Sequence, residues 1–467
     1  MLGKKWIPLF SLFLLLALPV SAENPTQPSA ATVPAADTVP AALDTAALDT
    51  WPQWRGPQRD GHVGSGSWPS DLQSLQESWR VELDKGYPGP IVGKDRVFVA
   101  ETADGKTEIV RALDRATGKE LWRREWPGEG NVPFFAAANG DWIRATPAYD
   151  GETLYVGGMN EVLVALDGAT GEQRWALDIP ARFGTKVPDF GFSSSPLIDG
   201  DHIFVQGANS LLKLDKATGD IIWRSLNSDG DIFVSGAFSS PIIAEIAGKR
   251  QLLVQTRIHI NGVDLESGDV LWSHDVPSFR GMNILTPVVY GDAIFTSTYR
   301  NRSYFYEIEK AGDEFAVKET WTNKVQAYMS SPVVVGDYAY MHLGNGRISC
   351  VDLRNGDVRW TSEERFGKYW SKVAQGDKIL ALDEKGELVL MRANPDRFDM
   401  LAKMEVSDQE AWAHLAVAGS DVYVRDLKGI TAYRWGTPAK PQVTAEVAAT
   451  PGQAVAMQAS TTGGEKE

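Results

Sequence analysis

The phrase ALDRATGKELW at residues 112–122 returns as ALDGATGEQRW at 165–175 and KLDKATGDIIW at 213–223, and in looser form as GVDLESGDVLW at 262–272 and CVDLRNGDVRW at 350–360. A catalytic signature needs one copy. Five copies mark a repeated supersecondary unit, and they constrain the fold more than any other feature of the chain. Within the phrase, Asp114, Asp167, Asp215, Asp264 and Asp352 fall where a third strand ends. A carboxylate there accepts backbone N–H bonds from the following turn. The glycine takes the left-handed corner. Trp122, Trp175, Trp223, Trp272 and Trp360 then open an outer strand and lie across the neighbouring unit. As metal ligands or bases these aspartates would be spread around a rim, too far apart to act together, so their role is read as structural.

A second count supports the first. Short runs of β-formers appear at RVFVA (96), TLYVG (153), HIFVQ (202), QLLVQ (251), AIFTS (293), YAYMH (338), KILAL (378) and DVYVR (421). A glycine precedes each: Gly93, Gly151, Gly200, Gly248, Gly291, Gly336, Gly376 and Gly419, at intervals of 40 to 58 residues. That period, with several short strands per unit, predicts an all-β, eight-bladed β-propeller of four-stranded antiparallel blades over residues 77–435. Residues 331–363 show a blade in full: PVVV, YAYMHL, RISCVDL and VRWTSE, separated by turn residues. After ITAYRW (430–435) nothing is left for an eighth outer strand, whereas ESWRVEL (77–83) stands ahead of the first blade and carries Trp79. The N-terminal strand is therefore expected to close the ring, with Trp79 buried.

These repeats resemble the tryptophan-docking repeat of pyrroloquinoline-quinone dehydrogenases and their relatives, among them the lipoprotein of the outer-membrane barrel-assembly machine. The resemblance implies the eight-bladed fold. For function it implies either a quinone oxidoreductase, with pyrroloquinoline quinone and calcium as cofactors, or a non-enzymatic envelope scaffold or assembly factor. The alcohol dehydrogenases of this kind carry adjacent cysteines in disulfide, and Cys350 is the only cysteine here. No segment matches their calcium-ligand or catalytic-aspartate positions, so no catalytic or metal-binding residue is carried over. Two units depart from the repeat: EIEKAGDEFAVKETW lacks the Asp and Thr-Gly, and MRANPDRFDMLAKMEV lacks the Trp.

Residues 1–22 read as a signal peptide, with Lys4 and Lys5 before an apolar run and VSA at the cleavage position; an uncleaved anchor is the alternative. Export to the periplasm or beyond follows, with no integral span once the signal is removed. No cysteine stands there for lipid attachment. Residues 23–50, rich in Pro, Ala and Thr, read as a disordered linker, and 436–467 as a disordered tail. The formal charge of −15 becomes −17 without the two signal lysines, which disfavours nucleic acid and anionic membrane surfaces as partners. Cys350 occupies the position of Ala112 and Ala165 and reads as a buried structural thiol. A monomer is expected.

No nucleotide-binding, zinc-protease or serine-hydrolase motif is present. NSDGDIF (227–233) has the look of a calcium loop with its glycine one place early, and a plain Asx-rich turn is the preferred reading. The segments joining each outer strand to the next inner strand are rich in Arg, aromatic and Ser residues, and in a propeller they converge over the central channel. From them Arg144, Arg182, Phe192, Arg280, Tyr328, Trp370 and His414 are candidates for a ligand site, for a protein, small-molecule or glycan partner; the competing reading is that the aromatics plug the channel. WPQWRGPQRDGHV (51–63), within a Trp-rich segment 51–76, stands outside the repeat. It reads as a strap tucked against the propeller, with an exposed partner site as the alternative. The reading is an exported binding or scaffolding module in which no catalytic residue is assigned.

Overall fold

A computed structural model describes residues 49–436, except 65–67, 131, 135–136, 138–139 and 229–235. The signal peptide, the linker up to residue 48, the tail beyond 436 and most of the 227–233 turn lie outside the described residues. Eight four-stranded antiparallel sheets form the blades of a β-propeller. Seven are made of consecutive strands, at 91–127, 148–178, 197–225, 242–275, 288–323, 333–361 and 370–405. The eighth combines Ala416–Ala418, Asp421–Asp426 and Gly429–Trp435 with Leu75–Glu82, which pairs antiparallel to Gly429–Trp435 and closes the ring. The longest helix described is the five-residue turn Ile179–Phe183. Among the described residues no helix is long and apolar enough to cross a membrane. Of the eight hairpin glycines, seven take positive φ; Gly93 does not.

Blade-to-blade packing follows from the repeated phrase. Trp122, Trp175 and Trp360 stand opposite small residues on the third strand (Ala112, Ala165 and Cys350), and the register shifts by one residue just after each pair. The bulge turns the indole towards the next blade. Trp79, Trp122, Trp175, Trp223 and Trp321 lie over Gly118, Gly171, Gly219, Gly268 and Gly356, where a Cβ would come within 2.5 to 2.8 Å of the ring. The same corners have φ of 73 to 79°. Both the close approach and the backbone thus exclude a side chain. Indole Nε1 donates to the carbonyl of Arg115 from Trp79 (3.0 Å), of Gly168 from Trp122 (3.0 Å), of Lys216 from Trp175 (3.0 Å) and of Leu353 from Trp321 (2.9 Å). Asp167 and Asp215 each accept two backbone N–H bonds inside the turn, at 2.9 to 3.0 Å.

The two irregular units have physical explanations. Blade five replaces the Asp–Gly corner with a tight hairpin pairing Ala311 with Glu314, so Trp272 of blade four has no glycine to cover. It turns back over Gly262 of its own blade and donates to Gln251 Oε1 at 2.7 Å. Blade seven lacks a Trp where blade eight lacks a corner, because the chain there is broken between Trp435 and Leu75. Trp68 packs on Trp435 at that break, ring centroids 5.4 Å apart. A third exception is Trp223, whose Nε1 has no partner: Lys213 Nζ occupies the matching Leu265 carbonyl at 2.9 Å. Cys350 is fully buried, and burial pushes its thiol pKa up to about 12.

Trp79 is 8% exposed and links the closing strand to blade one. Trp79→Ala is predicted to lower stability by about 3–5 kcal/mol in chemical denaturation. An unchanged midpoint would contradict closure through this residue.

Candidate functional site

The 51–63 segment lies across the central channel. Trp51 exchanges backbone bonds with Val92 of blade one, and the Pro52 carbonyl accepts from Tyr149 of blade two. Arg59 donates to the carbonyls of Ser195 and Pro196 in blade three. Trp54 Nε1 donates to Thr286 Oγ1 of blade five at 2.9 Å, Arg55 reaches the Pro332 carbonyl of blade six, and Val63 N donates to Ala374 of blade seven. A segment bonded to six of eight blades cannot lie on the rim. Arg55 and Arg59 are buried in left-handed backbone, with φ of 60° and 58°.

Above this strap the inner strands are joined by a ring of hydroxyls. Thr146 Oγ1 accepts from Gly89 N, Ser195 Oγ from Thr146 N, Ser240 Oγ from Ser195 N, and Ser331 Oγ from Thr286 N, each at 2.9 to 3.1 Å. Each of these hydroxyl residues precedes a proline: Thr146-Pro147, Ser195-Pro196, Ser240-Pro241 and Ser331-Pro332, with Thr286-Pro287 alike. Proline starts the inner strand without a donor to satisfy, and the hydroxyl meets the backbone N–H of the preceding blade. The recurring [ST]-P dipeptide is the sequence signal for this ring.

The joining loops and Trp54 enclose a cavity of about 430 Å³. Trp54 and the hydroxyls of Ser195, Ser240 and Ser331 line its lower part; Tyr87, Phe190, Phe238, Tyr328 and Trp412 are among its aromatic walls. Among the described residues its charged lining is Arg144, Arg257 and Arg280. The guanidiniums stack on aromatics: Arg257 sits 4.3 Å from the Phe238 ring centroid, Arg280 5.1 Å from Phe279 and Arg144 5.7 Å from Tyr87. Arg257 Nη2 also donates to the Arg280 carbonyl at 3.0 Å, which braces Arg280 in its left-handed backbone. Burial lowers the pKa of Arg144 and raises that of Tyr87 to about 12.

A second layer of basic side chains lies behind the floor. Burial pushes Arg55 down to about 10 and Arg59 to about 9, and drives Lys372 well below its ordinary value with Arg55 adding repulsion. His414, edge-on to Trp54 at 4.9 Å, is held down to about 3 first by burial and then by the Arg55 charge. It is neutral at pH 7, with its Nδ1 2.8 Å from the Leu415 carbonyl.

Of the seven candidate residues, Arg144, Arg280 and Tyr328 line the cavity. His414 supports Trp54 from behind. Phe192 is a packing residue between blades two and three, lying against Gly157. Trp370 is 1% exposed and donates Nε1 to Asp383 Oδ2 at 2.9 Å. Arg182 is exposed on the Ile179–Phe183 helix, away from the cavity. Arg257 and Trp54 were missed: Arg257 follows a second strand instead of joining two blades, and Trp54 belongs to the strap.

The family described as outer membrane protein assembly factor BamB matches residues 105–362, more than half of the chain. The chain belongs to this family. A BamB of Yersinia pestis is 20% identical over 299 residues, covering 64% of this chain and 61% of its own length, so the chain spans about three-fifths of that relative. The dehydrogenase subunit of a quinone alcohol dehydrogenase from Komagataeibacter europaeus is 28% identical over 167 residues, 33% of this chain and 22% of that protein. The crystal structure of BamB from Moraxella catarrhalis superposes with a TM-score of 0.56 at 16% identity, covering 77% of this chain and 97% of the other. At that identity the likeness is one of fold. The relatives thus include both BamB proteins and quinone dehydrogenases.

Calcium takes six to eight oxygen ligands, several of them carboxylates. The cavity offers guanidiniums instead, and among the described residues no group of three or more His, Cys, Asp or Glu stands together to hold a metal. The donor set of the described residues therefore does not fit calcium.

His414 binds its proton far more weakly folded than unfolded, so its contribution to stability is complete above about pH 6.5 and declines as pH falls towards 3. His414→Gln is predicted to remove a slope of about 1.4 kcal/mol per pH unit from the stability profile between pH 6 and 4, relative to the parent. Parallel profiles would contradict a buried neutral imidazole. The comparison has to be between the two proteins, because Glu108 and Glu161, each raised by burial to about 7, titrate with the opposite sign.

Proposed function

We propose that the chain is a binding and scaffolding module of the cell envelope, holding a ligand or a partner group in the arginine- and aromatic-lined cavity over its strapped channel. The observation that carries this reading is the cavity itself. It is concave, its floor is fixed by hydrogen bonds to six blades, and its walls hold the residue types that anchor binding. Its size, about 430 Å³, suits one inserted group, not a large substrate. Family membership and the signal-like residues 1–22 support an exported location on the periplasmic side of an outer membrane. A part in assembling outer-membrane proteins is the specific form of this role that the relatives' name suggests.

The role is read as non-catalytic because, among the described residues, the lining holds no carboxylate, thiol or neutral imidazole to act as nucleophile or base. A quinone-dependent oxidoreductase is the reading this must be tested against, given the dehydrogenase relatives.

Replacing Tyr328 with a photo-crosslinking phenylalanine should trap a discrete envelope component in living cells, whereas the same change at Ile222, exposed on an outer strand, should not. Absence of any adduct, together with saturable binding of pyrroloquinoline quinone and calcium and reduction of a dye by alcohols, would replace this reading with the oxidoreductase.

A further inference from the structure

We infer that the cavity takes a proline-bearing stretch of a partner polypeptide, with pyrrolidine rings against its aromatic walls and peptide carbonyls on donor groups of its floor and wall. The inference rests on the reading of the cavity as a binding site and specifies what enters it.

Ser195, Ser240 and Ser331 line the lower part of the cavity. Each Oγ already accepts a backbone N–H, from Thr146 (3.1 Å), Ser195 (2.9 Å) and Thr286 (3.0 Å) in turn. Among the described residues none of the three hydroxyls donates its own proton to an acceptor. Ser195 and Ser240 are only 3% and 4% exposed, so these donors belong to the buried end of the cavity. A fourth donor stands in the wall, where Trp412 Nε1 is buried without a hydrogen-bond partner. A buried donor left without an acceptor is costly, and a guest that brings an acceptor removes the cost. What enters must therefore present acceptor oxygens to the floor and to Trp412.

The loops that carry the hydroxyls also carry rings. Phe190 leads to Ser195-Pro196, Phe238 to Ser240-Pro241 and Tyr328 to Ser331-Pro332, so each loop delivers one aromatic wall and one hydroxyl donor. Phe190 meets Phe238 edge to face at 5.3 Å, Tyr328 lies 5.1 Å from Tyr299, and Tyr369 and Trp412 stack with their planes 3° apart. Trp54, whose Nε1 is spent on Thr286, adds a ring to the floor. A guest matched to this lining repeats the same pair, an apolar ring beside a hydrogen-bonding group. Consecutive prolines do so: the pyrrolidine packs on aromatic faces, the carbonyl is a strong acceptor, and no N–H comes with it. A polyproline segment is also extended before it binds, so little chain entropy is lost. Sugar hydroxyls would supply acceptors too, but each brings a donor that needs an acceptor of its own. A volume of about 430 Å³ holds a short stretch of this kind, not a folded domain.

Calorimetric titration of the full chain with acetyl-Ala-Pro-Pro-Pro-Ala-amide, and with the all-alanine peptide of the same length, tests the ring requirement. The proline peptide should bind about ten-fold or more tightly than the alanine peptide. Ser240→Ala and Trp412→Phe each remove one donor, and each should weaken the proline peptide about three-fold or more in protein that still melts cooperatively. Equal affinity for the two peptides would overturn the proline requirement, and full affinity in both variants would overturn the donor assignment. Binding of chitobiose in place of either peptide would give the site to a glycan and overturn the inference. No binding of the peptides at millimolar concentration would overturn it as well. The crosslink from Tyr328 then separates the two readings: an adduct that persists keeps the cavity as a binding site for another class of occupant, and its loss removes both.

Discussion

An indole laid over a glycine corner of the neighbouring blade, with its N–H on that blade's backbone, is the contact on which the rest of this molecule depends. A blade has few ways to bury its faces alone, because a four-stranded antiparallel sheet is apolar on both sides here. The docking contact fixes the angle and distance of each blade relative to the next. Where one partner is missing, the other changes with it. Trp272 folds back because blade five has no corner, and blade seven dispenses with Trp where the ring is joined by two distant pieces of chain. The irregularities are thus consequences of the same contact, not separate defects.

Closure by Leu75–Glu82 requires the chain to reach the outer edge of the last blade before the first blade begins, and the strap sets its path. Residues 51–63 bond to the inner strands across the channel before the chain turns out past Trp68 to the closing strand. This places two buried arginines where an open propeller would hold water, tied to backbone carbonyls without a carboxylate. Such an arrangement is expensive in desolvation. It gives the molecule a fixed floor to its cavity and a positive field above that floor. Fold and candidate site are therefore joined at Trp54, which is at once a bolt across the channel and a wall of the cavity.

The blades were legible in the sequence because each is short, punctuated by glycine, and repeated; eight β runs and five docking phrases point to the same architecture. The cavity was legible only in part. Arg144, Arg280 and Tyr328 could be picked out as polar or aromatic residues on joining loops. Phe192 and Trp370 have the same signature, but whether such a ring points inward to packing or upward to the cavity depends on loop geometry that composition does not carry. Arg257 was hidden because it lies after a second strand and reaches the cavity by backing Arg280. The strap could be recognised as something other than linker, from its paired tryptophans and Gly-Pro turn. Its course across the channel required contacts with residues up to 311 positions away, which no local pattern encodes.

The central claim is that the strap is an integral part of the propeller. Hydrogen–deuterium exchange on the full chain measures it most directly, because the amides of Trp51 and Val63 donate across the channel to Val92 and Ala374, each at 2.8 Å. The account predicts that peptides spanning 51–63 exchange as slowly as the second and third strands of the blades, through global opening alone. Strap amides that exchange within seconds while the blades stay protected would show that the channel is unsealed, and would remove the floor on which the cavity rests.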